Sequence, residues 1–338
     1  MAYTKGDVVY KYALEDKVGG GNFGEVWTAT DITLQTRVAL KLLDKTQYTI
    51  DERLLEAQIG NRLQHPNVVN IKGADVIEIA GSIVVAISMP YYPNGSVLSQ
   101  LNSLNFLNLR EVIKCLIDVL RGLEYLHEND YFHCDIKPNN ILIGDRSEYL
   151  LTDYGITSYS PNHQAVTPRQ SYLPHISPET IEKNIYDART DIYQLGLTAF
   201  RLINGISEIR DEFEKNQNTF FDKVATGKLI TPNKYKPYVP HILRRIINKA
   251  THLDPDERFQ TPLEMRRALE RVQIIGDATS DSSGNLVLPN GNYVYRYEID
   301  VVQKNRYTLT AFKRNVKSGR ETRHSSYCVS GLNLKDLQ

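Results

Sequence analysis

The chain is poor in cysteine and has no excess of charge of either sign, and each scarcity excludes classes of protein. Only three of its 338 residues are cysteine, and Cys115, Cys134 and Cys328 form no C-x-x-C motif. Neither a disulfide framework nor a zinc site is therefore expected. Basic and acidic residues number 40 each, so no bulk electrostatic attraction to nucleic acid or to an anionic membrane follows.

Long apolar runs are also missing. No stretch of about 18 uncharged apolar residues occurs that would span a bilayer, and residues 1–7 lack the apolar core of a signal peptide. We therefore expect a cytoplasmic protein with no membrane partner. Hydrophobic residues make up 41% and charged residues 24% of the chain, which is ordinary for a globular protein. The length allows one large domain and a small extra one.

Four polar side chains lie close together in the middle of the sequence. Asp135, Lys137 and Asn140 are followed by two apolar pairs, 141–142 and 150–151, and then by Asp153. This order predicts a loop, two short strands and a second loop. If the strands pair, the two loops lie at the same end of the pair, and the four polar groups should lie close together there. Such a set suits phosphoryl transfer, in which one carboxylate accepts a hydroxyl proton. An amide and the other carboxylate hold Mg²⁺, and the ammonium neutralises the moving phosphoryl group.

A glycine-rich stretch lies near the N-terminus. Gly19, Gly21 and Gly24 follow the strand-like run 12–18, and glycine lets the backbone approach phosphates and present N–H groups to them. That glycine spacing alone is weak evidence for a phosphate-binding loop, because flexible turns and dinucleotide-binding folds share it. Here a second strand-like stretch, 25–29, follows instead of a helix. The pattern therefore favours a β-hairpin that closes over a nucleotide.

A single lysine and a helix follow the hairpin. The hydrophobic run 37–40 ends in Lys41, and residues 51–64 have a helical pattern with apolar side chains at positions 55, 59 and 63. Taken alone, the lysine would be interpreted as a surface residue at the end of a strand. Glu52 and Glu56 on the helix are both candidate partners for it.

Together these segments resemble the protein kinase family. The resemblance rests on the catalytic-loop motif His133-Cys134-Asp135 with Asn140, the turn Asp153-Tyr154-Gly155, the glycine-rich loop 19–26, the strand 38–41, the closing motif Ser177-Pro178-Glu179, Asp191 on a central helix, and Arg258. It implies an α+β, bilobal protein-kinase-like fold. A five-stranded antiparallel sheet with helix C would form the N-terminal lobe, and the other lobe would be helical.

The resemblance also implies a role for each polar residue. Asp135 would orient and deprotonate the acceptor hydroxyl, and Lys137 would contact the γ-phosphate. Lys41 would hold the α- and β-phosphates, and the spacing to His65-Pro66 makes Glu56 its partner. Asn140 and Asp153 would hold Mg²⁺. Glu179, Asp191 and Arg258 would brace the structure and take no part in the chemistry.

The implied cofactors are ATP and Mg²⁺. Met89 stands at the gatekeeper position, and backbone groups of residues 90–92 would face the adenine. The residues expected to bind the nucleotide are Val18, Gly19, Gly21, Gly24, Val26, Ala39, Lys41, Met89, Tyr91 and Leu142.

Lys137, two residues after Asp135, is the arrangement typical of serine/threonine kinases. We therefore predict an ATP-dependent serine/threonine protein kinase that acts on protein hydroxyls. The alternative is a pseudokinase that binds nucleotide and acts as a scaffold through its C-terminal segment, although every chemically necessary group is retained. A kinase for a small molecule is disfavoured by the complete segment that ends at Glu179.

Departures from the family pattern give further expectations. Cys134 replaces the usual arginine, so a phosphate on the activation segment would lose its main bidentate partner. Tyr154 replaces phenylalanine and keeps the ring. Tyr172 replaces the threonine that usually touches the catalytic aspartate and lysine, and Ser171 is the candidate to take over that contact. Gly60, one helical turn after Glu56, replaces a bulky residue and predicts a packing gap. Either Ile59 or Leu63 fills that gap, or helix C is loosely held, and Lys41 and Glu56 pair fully only when a partner or the C-terminal segment braces the helix.

The C-terminal segment differs in composition. Residues 276–284 are small and polar, and runs rich in Tyr, Val and Thr follow at 292–302, 307–313 and 322–329. Residues 293–301 alternate with period two, and we predict an antiparallel sheet of three to four strands. The predicted units are a catalytic domain at 12–272, a linker at 273–284 and a small β-rich domain at 285–338. From residue 276 nine basic and six acidic residues give a net charge of +3. We interpret that excess as a solvated face and expect no nucleic-acid partner.

Overall fold

This computed structural model describes residues 3–20, 24–44, 48–79, 81–101, 107–205, 207–231, 234–235, 239–274, 279–280, 285–303 and 306–333. Gly21 of the predicted glycine-rich loop lies outside the described residues, as does most of the predicted linker. The described residues form an N-terminal antiparallel sheet with one helix, a larger helical region, and a separate C-terminal antiparallel sheet.

The N-terminal sheet has six antiparallel strands, hydrogen-bonded in the order β1-β2-β3-β4-β6-β5. They are β1 (Val8–Val9), β2 (Tyr12–Gly20), β3 (Glu25–Asp31), β4 (Thr36–Leu43), β5 (Gly73–Ile79) and β6 (Ser82–Pro90). The five predicted strands are present. The prediction missed β1, whose two residues pair with Ala13 and Tyr12 at the edge of β2.

Alternation along β4 decides which side chains reach the interior of the fold. Val38, Leu40 and Leu42 join an apolar cluster on one face of the sheet. Since successive strand residues point to opposite faces, Ala39 and Lys41 lie on the other face, toward the main core. Helix α1 (Ile50–Arg62) packs on that second face. Its N-terminus is fixed by a capping box, in which Glu52 N donates to Thr49 Oγ1 and Thr49 N donates to Glu52 Oε2.

The larger region is helical. Its helices are α2 (Leu109–Glu128), α3 (Pro178–Lys183), α4 (Ala188–Asn204), α5 (Ser207–Lys215), α6 (Gln217–Ala225), α7 (His241–Ala250) and α8 (Pro262–Glu270). Asn108 caps α2 by accepting a hydrogen bond from Glu111 N. Every residue of α4 from Thr190 to Asn204 is buried. A helix that is buried all round lies inside a core, so α4 is the central support of this region.

Two short antiparallel strand pairs lie in the chain between α2 and α3. Strands β8 (Ile141–Ile143) and β9 (Tyr149–Leu151) pair antiparallel with Ile141 opposite Leu151. The chain before β8 and the chain after β9 therefore meet at the same end of this hairpin, as the sequence predicts. Strands β7 (Tyr131–Phe132) and β10 (Ser158–Tyr159) pair in the same way.

The C-terminal sheet has more strands than predicted. It contains β11 (Thr279–Ser280), β12 (Leu286–Asn290), β13 (Tyr293–Gln303), β14 (Arg306–Asn315), β15 (Glu321–Arg323) and β16 (Val329–Leu332). Strand β11 lies inside the segment predicted to be a linker. The predicted run 322–329 is interrupted by a 3-10 turn at Ser325–Tyr327. Among the tail residues that the structure describes, Ala311 alone is fully buried, so the period-two pattern of β13 does not correspond to one deeply buried face.

None of the helices among the described residues is both long and apolar enough to cross a membrane.

Candidate active site

The loop before β8 holds the first three predicted polar residues together. Lys137 Nζ lies 2.7 Å from Asp135 Oδ2, and Asn140 Nδ2 donates to the same oxygen at 2.9 Å. Asp135 is buried. Its other oxygen, Oδ1, is also buried and has no hydrogen-bond partner within the described part of the chain. The carboxylate is thus fixed through one oxygen and keeps the other as a free acceptor.

A buried aspartate holds the backbone of this loop in an uncommon conformation. Cys134 has a φ of 68°, a left-handed value that costs a non-glycine residue energy. Asp191, on α4, offsets that cost because its two oxygens accept from His133 N at 2.9 Å and from Cys134 N at 3.0 Å. His127 Nε2 and the Tyr186 hydroxyl complete the shell around Asp191, at 2.8 and 2.5 Å. The sequence predicts the bracing role of Asp191, and these contacts supply its geometry.

Two further residues of α4 support the same loop. Gln194 Oε1 accepts from Ile136 N at 2.8 Å, and Thr198 Oγ1 donates to Ile136 O at 3.3 Å. Together with Asp191, these side chains are spaced by three and four residues, so they share one face of the helix. The loop that carries Asp135 is therefore positioned by a rigid, fully buried helix.

The buried Lys41 and Glu56 and the half-buried Asp153 form a charged triad across the interface between the sheet and the helical region. Lys41 Nζ donates to both Glu56 oxygens at 2.8 and 2.7 Å, and to Asp153 Oδ1 at 2.8 Å. Of the two glutamates considered from the sequence, Glu56 makes this contact, whereas Glu52 belongs to the capping box. Asp153, like Cys134, has a φ of 68°.

Burial and the neighbouring charges have opposite effects on the pKa values of this triad. Burial favours neutral Lys41, but the carboxylates of Asp153 and Glu56 outweigh it and raise the pKa of the ammonium. Burial alone would raise the pKa of Asp153, but the charge and hydrogen bond of Lys41 lower it to about 2. Burial, with the neighbouring Asp153 carboxylate, raises the pKa of Glu56 despite the opposing effect of Lys41. Lys41 and Asp153 are therefore charged at neutral pH.

Helix α1, which carries Glu56, is closely packed at Gly60, and the prediction of a packing gap there is wrong. A Cβ at Gly60 would lie 2.5 Å from Ile71 Cδ1 and 3.1 Å from Tyr154 Cδ2. The space beside the glycine is therefore filled by Ile71 and Tyr154, and not by Ile59 or Leu63. The helix is also held by Arg53, whose buried Nη1 donates to Leu43 O at 3.0 Å and to Ile83 O at 2.7 Å.

Tyr154 does more than keep the ring of the usual phenylalanine. Its hydroxyl donates to Val69 O at 2.8 Å, with Leu151 O at 3.1 Å, and its ring makes an edge contact with His133 at 6.2 Å. The side chain is buried. These contacts fix the residue that follows Asp153, and so they help to fix the Asp153 carboxylate.

Several residues predicted to face a nucleotide pack against the same core. Ala39 pairs with Met89 across β4 and β6, and Leu142, on β8, is half-buried against the main core to which Met89 belongs. Val26 is half-buried opposite Lys41 in the sheet, and Gly19 lies opposite Val26.

Three of the predicted nucleotide contacts have individual features. Val18 is 54% exposed, and the ring of Tyr91 is covered by the Arg37 guanidinium at 4.4 Å. Gly24 has a φ of 158°, and a Cβ there would lie 1.9 Å from Leu42 O. Only glycine fits at position 24, whereas a Cβ at Gly19 would make an ordinary contact of 3.7 Å with Val26.

The two residues predicted to hold Mg²⁺ fit that ion chemically. Asn140 uses its amide nitrogen on Asp135 O and Oδ2, which leaves the amide oxygen as the ligand atom. Asp153 stays ionised because of its lowered pKa. The described residues contain no cluster of three or more His, Cys, Asp or Glu side chains that would hold a metal ion by themselves. Mg²⁺ is usually bound by one or two carboxylates together with substrate phosphates, and Asp153 would supply one such carboxylate.

An apolar cluster occupies the region around Cys134. Phe132, Cys134, Ile156 and Tyr186 are all buried and in mutual contact. Tyr186 also pairs with Val166 through two backbone hydrogen bonds of 2.8 Å. The segment between Asp153 and Glu179 is therefore held near the catalytic loop by apolar contacts and backbone pairing.

The end of that segment is fixed by a buried ion pair. Arg258 Nη1 and Nη2 donate to the two oxygens of Glu179 at 2.9 and 2.8 Å. Thr190 adds a third hydrogen bond to Glu179 at 2.8 Å. Burial would raise the pKa of Glu179, but Arg258 lowers it below the ordinary value. The pairing has the geometry that the sequence predicts.

Sequence reasoning missed Arg53, Gln194 and Tyr186. Arg53 precedes Glu56 by one helical turn, so an inward-facing arginine was readable from the helical spacing. Gln194 and Thr198 follow Asp191 at the same spacing. Tyr186 carried no local signal, because its hydroxyl reaches Asp191 only after the chain has turned into α4.

Comparison with known proteins agrees with this geometry. The protein kinase domain model matches residues 12–270. The serine/threonine-protein kinase PrkC of Bacillus subtilis is 29% identical over 265 residues, which are 75% of this chain and 39% of that protein. An Aurora kinase of Dictyostelium discoideum is 28% identical over 242 residues, 70% of this chain and 60% of that protein. The serine/threonine-protein kinase PknB of Mycobacterium leprae is 26% identical over 313 residues, 86% of this chain and 50% of that protein. The chain thus spans less than two thirds of the length of each of these relatives.

Proposed function

The chain belongs to the protein kinase domain family, and from that premise we propose that it is an active, ATP-dependent serine/threonine protein kinase. It would transfer the γ-phosphoryl group of ATP to a hydroxyl of a protein substrate. In the proposed organisation, residues 12–272 form the catalytic domain, and the tail sheet is a separate β-rich domain of unassigned role.

The observation that carries this proposal is the free oxygen of Asp135. Oδ2 is engaged by Lys137 and Asn140, whereas Oδ1 is buried without a hydrogen-bond partner in the described residues. A buried acceptor without a donor is costly, and a substrate hydroxyl would supply that donor. Asp135 Oδ1 would then orient the hydroxyl and accept its proton as the oxygen attacks phosphorus.

The phosphate side of the reaction is supported by the charged triad. Lys41, held by Glu56, would place a permanent positive charge against the α- and β-phosphates. Asn140 and Asp153 are the residues that would hold Mg²⁺, which when bound neutralises phosphate charge. Lys137, beside Asp135, would contact the γ-phosphate. These side chains act by positioning and charge neutralisation.

The acceptor class is supported by two separate points. Lys137 stands two residues after Asp135, as in serine/threonine kinases, and two of the relatives above are named serine/threonine-protein kinases. The pseudokinase alternative would need nucleotide binding without transfer. The arrangement of Lys41, Asp153 and Asp135 favours transfer, because each has the partners that its role requires.

Incubation of the purified chain with Mg²⁺, γ-labelled ATP and a generic acceptor protein tests the proposal. We expect labelled phosphoserine or phosphothreonine in the acceptor, and its loss with Asp135→Asn. Asp145→Asn is the matched control, because this carboxylate is exposed in the turn between β8 and β9. Nucleotide binding without any transfer by the wild type would support the scaffold instead, and labelled phosphotyrosine alone would contradict the acceptor class.

A further inference from the structure

We propose that Tyr172 is a positioning residue for Lys137, and that its aromatic ring replaces the threonine hydroxyl expected from the family pattern. This inference rests on the proposed function, because it concerns the lysine assigned to the γ-phosphate. The resemblance leaves the position open, with Ser171 as the candidate substitute. In the structure Tyr172 itself makes the contact.

The ammonium of Lys137 lies between a carboxylate and a ring face. Its Nζ is 2.7 Å from Asp135 Oδ2 and 4.3 Å from the centroid of the Tyr172 ring. The Lys137 side chain is only 18% exposed. A cation over an aromatic face is attracted by the ring quadrupole, and the attraction grows as water is excluded. The ring thus restricts a flexible ammonium that would otherwise have one carboxylate to orient it.

The ring is itself held from behind by a buried polar network. The Tyr172 side chain lies beside the Arg201 guanidinium, close enough for the two groups to interact electrostatically, and its ring lies 5.4 Å from that of His175. His175 is hydrogen-bonded through Nδ1 to Ile136 O and through Nε2 to Arg201 Nη1, both at 2.9 Å. Arginine can only donate, so Nε2 accepts and Nδ1 carries the proton.

This network connects Tyr172 to the loop that carries Asp135. Burial, with the adjacent Arg201 charge, lowers the pKa of His175 well below its ordinary value, so the imidazole stays neutral and the hydrogen bonds persist at neutral pH. Arg201 lies on α4, the helix that also carries Asp191 and Gln194. Contacts to the single helix α4 therefore position the Tyr172 ring, the Lys137 ammonium and the Asp135 carboxylate.

A ring-face role predicts a specific ranking of variants. Tyr172→Phe and Tyr172→Trp keep a π face and should retain kcat within about threefold. Tyr172→Leu removes the face and should lower kcat about tenfold, with KM for ATP nearly unchanged, since a desolvated cation–π contact is worth about a factor of ten or more. Tyr159→Leu is the matched control, because this exposed tyrosine of the same segment contacts Tyr131 instead.

A second measurement does not depend on turnover. Reductive methylation with ¹³C-formaldehyde labels lysines and keeps their charge, and the Lys137 signal is assigned by its loss in Lys137→Arg. Methyl groups above a ring face are shifted upfield. We expect that shift in the wild type and in Tyr172→Phe, and its loss in Tyr172→Leu, or in Tyr172→Met if the leucine variant fails to fold.

Turnover and the methyl shift together distinguish a failure of the proposed kinase activity from a failure of the positioning role of Tyr172. An inactive wild type with the expected methyl shifts would reject the proposed kinase activity and keep the contact between Tyr172 and Lys137. A leucine variant with wild-type kcat would overturn the positioning role. A phenylalanine variant as impaired as the leucine variant would also overturn it, because the hydroxyl group and not the ring face would then be what matters.

Discussion

Gly60 offers the sharpest test of how the Lys41–Glu56 pair is held. Replacement of this glycine by alanine adds one methyl group on the inward face of α1. The added carbon would lie 2.5 Å from Ile71 Cδ1, 2.7 Å from Ile71 Cγ1 and 3.1 Å from Tyr154 Cδ2. Contacts this short cannot persist, so Ile71, Tyr154 or the helix must move.

Overpacking and helix propensity change the free energy of unfolding of Gly60→Ala in opposite directions. Overpacking a filled site costs about 1–3 kcal/mol, and alanine returns about 1 kcal/mol of helix propensity relative to glycine. The net loss of stability is therefore roughly 0–2 kcal/mol. If the clash is relieved by moving α1 or Tyr154, the arrangement of Glu56 and Asp153 loses about 1–2 kcal/mol, which is about a 5- to 30-fold loss of activity.

The assay compares initial rates at saturating ATP with thermal unfolding for four proteins: wild type, Gly60→Ala, Ile71→Val and the double variant. Ile71→Val removes Cδ1, the atom nearest to the new methyl, and alone costs about 0.5–1.5 kcal/mol. The double variant should be more active than Gly60→Ala, with a favourable coupling of about 0.5–3 kcal/mol. Gly73→Ala is the matched control, since its Cβ would meet only Ser88 Oγ, at 3.5 Å.

Two outcomes would refute this reasoning. If Gly60→Ala raises kcat, the helix is underpacked in solution and the glycine limits activity. If neither rate nor melting temperature changes, Ile71 yields without cost, and the close packing does not position the pair.

Three other predictions follow from the site. Lys41→Met and Asp153→Ala should each reduce label transfer by at least about a hundredfold, because each removes a charge facing the phosphates, while circular dichroism shows a folded chain; near-normal turnover would contradict the assignments. Of two threonines in the segment between Asp153 and Glu179, Thr157 is buried, with Oγ1 donating to His133 O, and Thr167 is exposed and so accessible to phosphorylation. Thr167→Ala with Ser171→Ala should lower kcat less than about threefold, because no guanidinium at Cys134 awaits a phosphate; a large loss that acidic residues restore would count against this. Arg258→Ala should cost about 3–5 kcal/mol at pH 7 in denaturant unfolding, since it strands the buried Glu179 carboxylate. The folded pKa of Glu179 is lowered from 4.5, so its stabilising contribution is present above pH 4.5 and is lost as the pH falls through the folded pKa; a difference that is the same at pH 7 and pH 3 would rule out this linkage.

The parts of the site that the sequence predicts are those fixed by local geometry. The order of polar and apolar residues from Asp135 to Asp153 requires a hairpin, and a hairpin brings its two flanking loops together. Strand alternation puts Lys41 on the face that α1 covers. Helical spacing puts Glu52 and Glu56 on one face of α1, and the resemblance to the kinase family selects Glu56. The hairpin, strand and helix steps need only neighbours in sequence, whereas the choice between the two glutamates needs the family pattern.

The parts that the sequence does not predict depend on distant side chains. The packing beside Gly60 is decided by Ile71, from the chain after the helix, and by Tyr154. The ring of Tyr172 reaches Lys137 because Arg201 and His175 lie behind it. In the tail, the alternation along β13 suggests a buried face, but among the described residues of the tail only Ala311 is buried. Periodicity reports which residues share a face, and not what covers that face.

The replacement of arginine by Cys134 is part of a different way of holding the segment between Asp153 and Glu179. A guanidinium at this position would have to enter the cluster of Phe132, Ile156 and Tyr186, and an unpaired buried charge is far more costly than an apolar contact. The Tyr186 hydroxyl instead bonds to Asp191, which already holds the backbone of Cys134. Because the Tyr186 backbone also pairs with Val166 of the segment, the segment is connected through Tyr186 to the aspartate that holds the catalytic loop, without an added phosphate. Such contacts form on folding and need no phosphate, so we expect the position of the segment to depend on the stability of the domain more than on modification of its surface.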